Sequence, residues 1–240
     1  MSSSRIVVAA LIAGGLATGG TTVASAAGTG VENVCISVNG VEWVQAGTAT
    51  CSSVDGGDDG ANIAWAMGDD ASAQAGDSVG LHSGNLAIAT GESSIARATD
   101  GDGNSASAQG ASSSAFASAG DDNRALAIGD GSLASSGGGD QNLSAATGDL
   151  SHASAGDGDR NTALAFGYDS LANATDAHDS GAWAWGAEST AFVHEGGRSR
   201  AFALGDATTA RVRFDADSTA IARTDGCTAM VTEADQTVTC

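Results

Sequence analysis

Residues 85–103 read Asn85-Leu-Ala-Ile-Ala-Thr-Gly91-Glu-Ser-Ser-Ile-Ala-Arg-Ala-Thr-Asp-Gly-Asp-Gly103, and at Asn104 the pattern starts again. Copies begin at Asn62, Asn85, Asn104, Asn123, Asn142, Asn161, Ser180, Ser199 and Ser218, and from Asn85 onward the period is 19 residues without exception. Four extra residues, Leu81-His82-Ser83-Gly84, separate the first two copies and read as a loop insertion over 81–84. With the Asn counted as column one, the unit is N-x-A-x-A-x-G, two residues, S-x-A-x-A, then a Gly/Asp-rich turn. Column five is Ala from Ala66 to Ala222 and column twelve is Ala from Ala73 to Ala229. Column seven is Gly except at Thr224.

Alternation with period two, twice per unit and punctuated by Gly and Asp, is the signature of strand–turn–strand–turn. Ala favours helix, but a helix would show a 3.6-residue stripe and few glycines. The fold expected is therefore all-β, a parallel β-solenoid. It is a flat β-roll with two strands per coil and nine 19-residue repeats over 62–236. At about 4.8 Å per coil the rod is about 43 Å long. A solenoid keeps one cross-section, so interior columns must hold one size. Columns three, five and twelve do so with Ala (Ser144 in column three is the one exception), and column fourteen is mostly Ala or Val. Column four runs from Trp65 through Ser107 and Ala145 to Trp183, which cannot stack inside a thin roll, so it should face out. An Ala core contributes only about 0.8 kcal/mol per buried carbon, so backbone ladders, end caps and an Asn side-chain ladder at one corner must carry much of the stability.

Composition narrows the function. The chain has 240 residues, 35 Gly, no Pro and a formal charge of −20; its basic residues are all Arg. An acidic surface argues against nucleic acid and anionic lipid. Residues 1–26 read as a signal peptide: Arg5 precedes the apolar run Ile6–Leu16, and Ala24-Ser25-Ala26 offers a small-x-small cleavage site. No later stretch of the sequence reads as a membrane span, so the expected location is secreted, extracellular or cell surface. Residues 27–61 should form an N-terminal cap with a hairpin around Asn39-Gly40, and 237–240 a tail closing the other end. Cys35 and Cys51 lie at the start and Cys227 and Cys240 at the end, about 40 Å apart along the rod. Disulfide Cα atoms must lie within about 7 Å, so the pairs expected are Cys35–Cys51 and Cys227–Cys240.

No catalytic constellation stands out. His82, His152, His178 and His194 fall at different columns and read as solvated residues; Ser, His and Asp form no distinctive arrangement. Gly156-Asp157-Gly158 is a repeat turn and not a phosphate loop. The chain therefore reads as a non-enzyme without a cofactor. One polar column invites a ligand: Asp102, Asp121, Asp140 and Asp159 stack in successive coils, repelling by about 0.9 kcal/mol per pair even in water. Calcium between coils would relieve this; the bland reading is a solvated turn that needs no ion.

Columns four and six of the first strand carry Trp65, Leu126, Leu164, Phe166, Trp183, Trp185 and Phe202. The second strand reads as more polar, with Ser72, Arg97, Ser135, Ser154, Asn173 and Thr209. An apolar stripe along one face marks an interaction surface, here expected to be a homo-oligomer interface. The competing assignment has the bulky residues filling the roll and the alanines facing water.

Asn85-Leu-Ala-Ile-Ala-Thr-Gly91 and Asn123-Arg-Ala-Leu-Ala-Ile-Gly129 resemble the head repeats of YadA-like trimeric autotransporter adhesins, although the unit here is longer than that family's usual one. The resemblance covers the roll only. It implies a trimer and binding to a cell-surface or matrix ligand. The whole arrangement also resembles actinobacterial secreted proteins of the same repeat type, from which no activity follows. The expected function is a secreted, non-catalytic structural or adhesive β-roll acting through its outer faces. The alternative is a calcium-stabilised extracellular binding protein recognising a polysaccharide or surface ligand.

Overall fold

A computed structural model describes residues 33–57, 60–77, 82–195, 197–213, 216–231 and 233–240. The signal peptide read over 1–26 and Leu81 of the insertion lie outside the described residues. Those residues contain strands and turns but no helix, in two sheets of 12 and 10 strands. The fold is the parallel β-solenoid expected from the 19-residue period.

The first coil consists of β4 (Ile63–Met67) in sheet A and β5 (Ser72–Ala75) in sheet B, and every later coil repeats the pair. Strands pair in parallel with a 19-residue offset, as Arg124 opposite Leu143 and Leu143 opposite Thr162 show. The insertion widens the first offset, where Ile63 lies opposite Leu86. Ala64, Ala66 and Ala75 are fully enclosed, Ala73 nearly so, and the same columns are buried in the coils that follow. The alanines thus face in and the bulky columns face out, which overturns the competing assignment.

Ala-on-Ala packing brings the two sheets unusually close. Cys35 lies opposite Ala66 and Cys51 opposite Ala73, so the Cys35–Cys51 disulfide takes the place of a facing pair from columns five and twelve. Its Cα atoms are 5.5 Å apart, where ordinary packed sheets lie about 10 Å apart. One step along, Ser37 and Ser53 replace the next Ala pair and join their hydroxyls at 2.7 Å.

Column seven cannot carry a side chain. At Gly110 φ is +127°, and a Cβ there would sit 2.6 Å from the carbonyl oxygen of Gly129 in the next coil. The exception, Thr224, belongs to the ninth coil and is exposed.

The ends differ. At the start, β1 (Val34–Val38) and β2 (Val41–Ala46) form a hairpin whose two-residue turn, Asn39–Gly40, has positive φ at both positions. β1 runs antiparallel to β4 and β3 (Thr50–Ser53) runs parallel to β5, so both sheets are covered. At the other end the expected tail is itself a strand. Thr237–Thr239 pairs in parallel with Thr219–Ala222, starting a further coil, and Cys240 is bonded to Cys227 with Cα atoms 6.1 Å apart. Sheet B ends on Thr228–Met230.

Candidate interaction faces and polar corners

The corners are built by side chains that serve the backbone. The Asn ladder runs to backbone groups and not from amide to amide. Each Asn Oδ1 accepts the backbone N–H of the Asn one coil on, at 2.9 Å from Asn62 to Asn85 and again from Asn85 to Asn104. Asn Nδ2 donates onward to a turn carbonyl, as from Asn123 to Gly139 at 2.7 Å. The hairpin joins the ladder: Asn39 Oδ1 accepts the N–H of Asn62 at 2.8 Å. A second buried column, Ser94, Ser113, Ser132 and Ser151, donates each hydroxyl to the Gly carbonyl three residues earlier.

The acidic column at Asp102, Asp121, Asp140 and Asp159 works in the reverse direction. Ser83 N–H donates to Asp102 at 2.7 Å, Asp102 to Asp121 at 2.8 Å, Asp121 to Asp140 at 2.9 Å and Asp140 to Asp159 at 3.0 Å. His178 Nδ1 ends the run by accepting the N–H of Asp159 at 3.0 Å. Sequence reasoning saw only like charges stacking. It missed that each carboxylate accepts an N–H, a contact that offsets repulsion. The column gathers no three ligand atoms at one point among the described residues.

The outer faces show the opposite charge pattern. In all nine coils the outward columns of sheet A, two, four and six, hold no Asp or Glu and three Arg: Arg124, Arg200 and Arg223. Columns eleven and thirteen of sheet B hold no acid either. The acidic groups of the coils sit at the two turn corners. Sheet A presents the expected stripe. Trp65 lies under Ile36 of β1, Leu126 and Leu164 are half-buried, and Trp183 stacks on Phe202 with centroids 4.6 Å apart. Phe166 meets Trp185 at 5.2 Å, and Trp185 remains 61% exposed. The Trp183 indole lies over Gly181, where a side chain would collide with it.

Sheet B is less polar than the sequence contrast suggested. Ile95, Phe116, Leu133, Leu171, Phe192 and Met230 share its outward columns with Ser72, Arg97, Ser135, Ser154, Asn173 and Thr209. What sets sheet A apart is continuity. From Leu164 to Phe202 its aromatic and aliphatic side chains run unbroken, whereas in sheet B they alternate with Ser, Asn and Arg. Two shallow depressions lie on sheet A around Arg124, one of them lined by Ser107, Leu126 and Leu143.

Few ionisable groups are perturbed. Burial pushes the His152 imidazole below its ordinary value. A hydrogen bond with Asp77, and then burial, raises Asp100 above the ordinary carboxylate range. Arg160 and Arg198 make two-point contacts with Asp179 and Asp217 one coil on, and each hydrogen bond holds its carboxyl low. One group escaped the sequence reading: His194 lies between Asp176 and Glu195, brought together only by the stacking of coils.

Two disulfides fit an oxidising, extracellular environment. Among the described residues no helix is long and apolar enough to cross a membrane. No family model, curated protein or solved structure matches the chain.

Proposed function

We propose that this chain is a secreted, non-catalytic structural or adhesive module that acts through its outer faces, and that sheet A is where further copies of the same chain associate. The observation that carries this reading is the segregation of charge. A chain of net charge −20 places no carboxylate on the outward columns of either sheet. Acidic corners oppose edge-to-edge contact, while the sheet faces can be buried without stranding an acid.

Area supports a second copy as the occupant of sheet A. A strand of five residues spans about 17 Å, so nine coils present about 700 Å². That is close to the roughly 800 Å² per partner of a stable specific interface. Trp183, Trp185, Phe166 and Phe202 form its densest part, and aromatic anchors of this kind dominate association energy. The resemblance to YadA-like heads supports a trimer and an adhesive role for the assembled roll.

Light scattering on the oxidised protein, with Leu164→Asp and Trp183→Asp variants, tests this. The expected result is an oligomer in the parent and folded monomers in both variants. A monodisperse monomer in the parent at micromolar concentration would overturn the self-association.

A further inference from the structure

We infer that Asp176, His194 and Glu195 form a binding site for a single divalent transition-metal ion of the zinc class. The three come from two successive coils. Asp176 and Glu195 occupy the same column of the repeat, one coil apart, and His194 is the last residue of the strand Thr190–His194. The 19-residue period stacks carboxylates at several corners, and His82 and His178 each stand beside one of them, but only here among the described residues does an imidazole gather with two carboxylates within reach of one ion.

The geometry is that of a ligand set slightly too open. His194 faces both carboxylates, Nε2 at 3.5 Å from Asp176 Oδ2 and Nδ1 at 3.8 Å from Glu195 Oε1, and one of these nitrogens binds the ion while the carboxylates turn toward it. Nitrogen–oxygen pairs at these separations are ion pairs at best and not hydrogen bonds. One ligand atom from each residue lies within 4.8 Å of the others. Around a tetrahedral ion with bonds of about 2.0–2.2 Å, neighbouring ligand atoms stand about 3.3–3.5 Å apart. The carboxylates are roughly half exposed, so small rotations close the set. The imidazole is already held, stacked on Phe192 with centroids 5.8 Å apart and planes 18° apart.

Donor chemistry selects the ion. Calcium and magnesium prefer oxygen ligands throughout, whereas one imidazole with two carboxylates suits zinc, nickel or cobalt. Three protein ligands leave a fourth position for water. The strongly acidic chain raises the local cation concentration. By the repeat, Arg213 occupies the column of His194 one coil further on, and its charge opposes the ion.

The site is separate from sheet A, so it stands or falls independently of self-association. Isothermal titration of zinc chloride into the oxidised protein at neutral pH is the test, with calcium chloride as the comparison ion. Expected is saturation at one zinc per chain, at least tenfold weaker binding in His194→Ala and in the Asp176→Asn/Glu195→Gln pair, and none of this change in His178→Ala. Circular dichroism confirms that each variant stays folded. No saturable zinc binding, calcium bound in preference to zinc, or binding that survives His194→Ala but is lost in His178→Ala would each overturn the assignment.

Discussion

From Asn62 to Asn161 one corner of the roll is filled by an amide; from Ser180 to Ser218 the same corner is filled by a hydroxyl. The two halves hold their coils together differently. Apart from Asn142, whose Nδ2 makes no hydrogen bond, each amide reaches onward twice, as Asn85 Oδ1 accepts an N–H at 2.9 Å and Asn104 Nδ2 donates to a turn carbonyl. A hydroxyl also accepts from the next coil, but more loosely: Ser199 N–H meets Ser180 Oγ at 3.1 Å and Ser218 N–H meets Ser199 Oγ at 3.2 Å. The hydroxyl also donates back into its own turn, from Ser180 to His178 and from Ser218 to Ala216, and Ser218 reaches the Glu233 carbonyl at 3.4 Å. The Ser coils recover volume elsewhere. Column fourteen becomes Val193, Val212 and Val231 where the Asn coils mostly carry Ala. Column fourteen borders the Asn corner, since Ser136 Oγ there donates to the carbonyl of Asn142. Size lost at the corner is regained one column away, and the cross-section stays constant.

The largest effect should come from removing an amide in mid-rod. Asn123→Ala leaves the buried N–H of Asn142 and the carbonyl of Gly139 without partners. Each orphaned group costs about 1–3 kcal/mol, so the variant should lose about 3 kcal/mol. Ser199→Ala strands the Ser218 N–H, which is held by a longer bond, and should lose about 1 kcal/mol. Urea unfolding with comparable slopes measures both. Equal losses would mean that the amide holds neighbouring coils together no better than the hydroxyl.

A smaller effect tests the volume exchange. Asn104→Ser should destabilise by about 2 kcal/mol, because one onward bond is lost and the corner is underfilled. Adding Ala117→Val, the column-fourteen change found in the Ser coils, should restore about 1 kcal/mol. In the parent, Ala117→Val alone should cost about 1–3 kcal/mol by overpacking. The sign reversal is the point. If the double-mutant cycle shows the two changes to be additive, the corner and column fourteen are independent.

Much of this was legible in the residues before any coordinates. Constant size identified the alanine columns as interior, because a roll cannot change girth from coil to coil. Rod length alone paired Cys35 with Cys51 and Cys227 with Cys240. The period says which side chains stack, but not which backbone groups a turn leaves unpaired. Asp122, Gln141, Arg160 and Asp179 all take positive φ at one column, and such turns leave N–H groups that the neighbouring carboxylate column accepts. Hence Asp102–Asp159 looked like stacked repulsion and proved to be a run of acceptors. Polarity of the second strand was misjudged for a simpler reason: Phe116 and Phe192 stand at the same column as Ser135 and Asn173. The grouping of His194 with Asp176 needed the turn geometry as well as the period.

The smallest effect compares two regions of the rod by pH. In the Asn half, Asp100 shares a hydrogen bond with Asp77 and titrates above the ordinary carboxylate value of 3.8. A carboxyl raised on folding adds stability that is fully present below its unfolded value and lost as pH rises through its folded one. Farther along, from the last Asn coils into the Ser coils, the Arg160 and Arg198 hydrogen bonds hold Asp179 and Asp217 below 3.8. Their contribution is present above 3.8 and lost as pH falls through the lowered values. Asp100→Asn should therefore raise the melting temperature at pH 7 and leave it nearly unchanged at pH 3. Asp179→Asn should lower it at pH 7 and change it less at pH 2, where the parent has begun to lose the same contact. These groups are well exposed and screened, so each shift should be no more than about 2 °C. The lowered value of His152 destabilises every variant alike below about pH 6.5 and cancels in the comparison. Shifts of the same sign for Asp100→Asn and Asp179→Asn at pH 7 would show that net charge, and not these local contacts, sets the acid response of the rod.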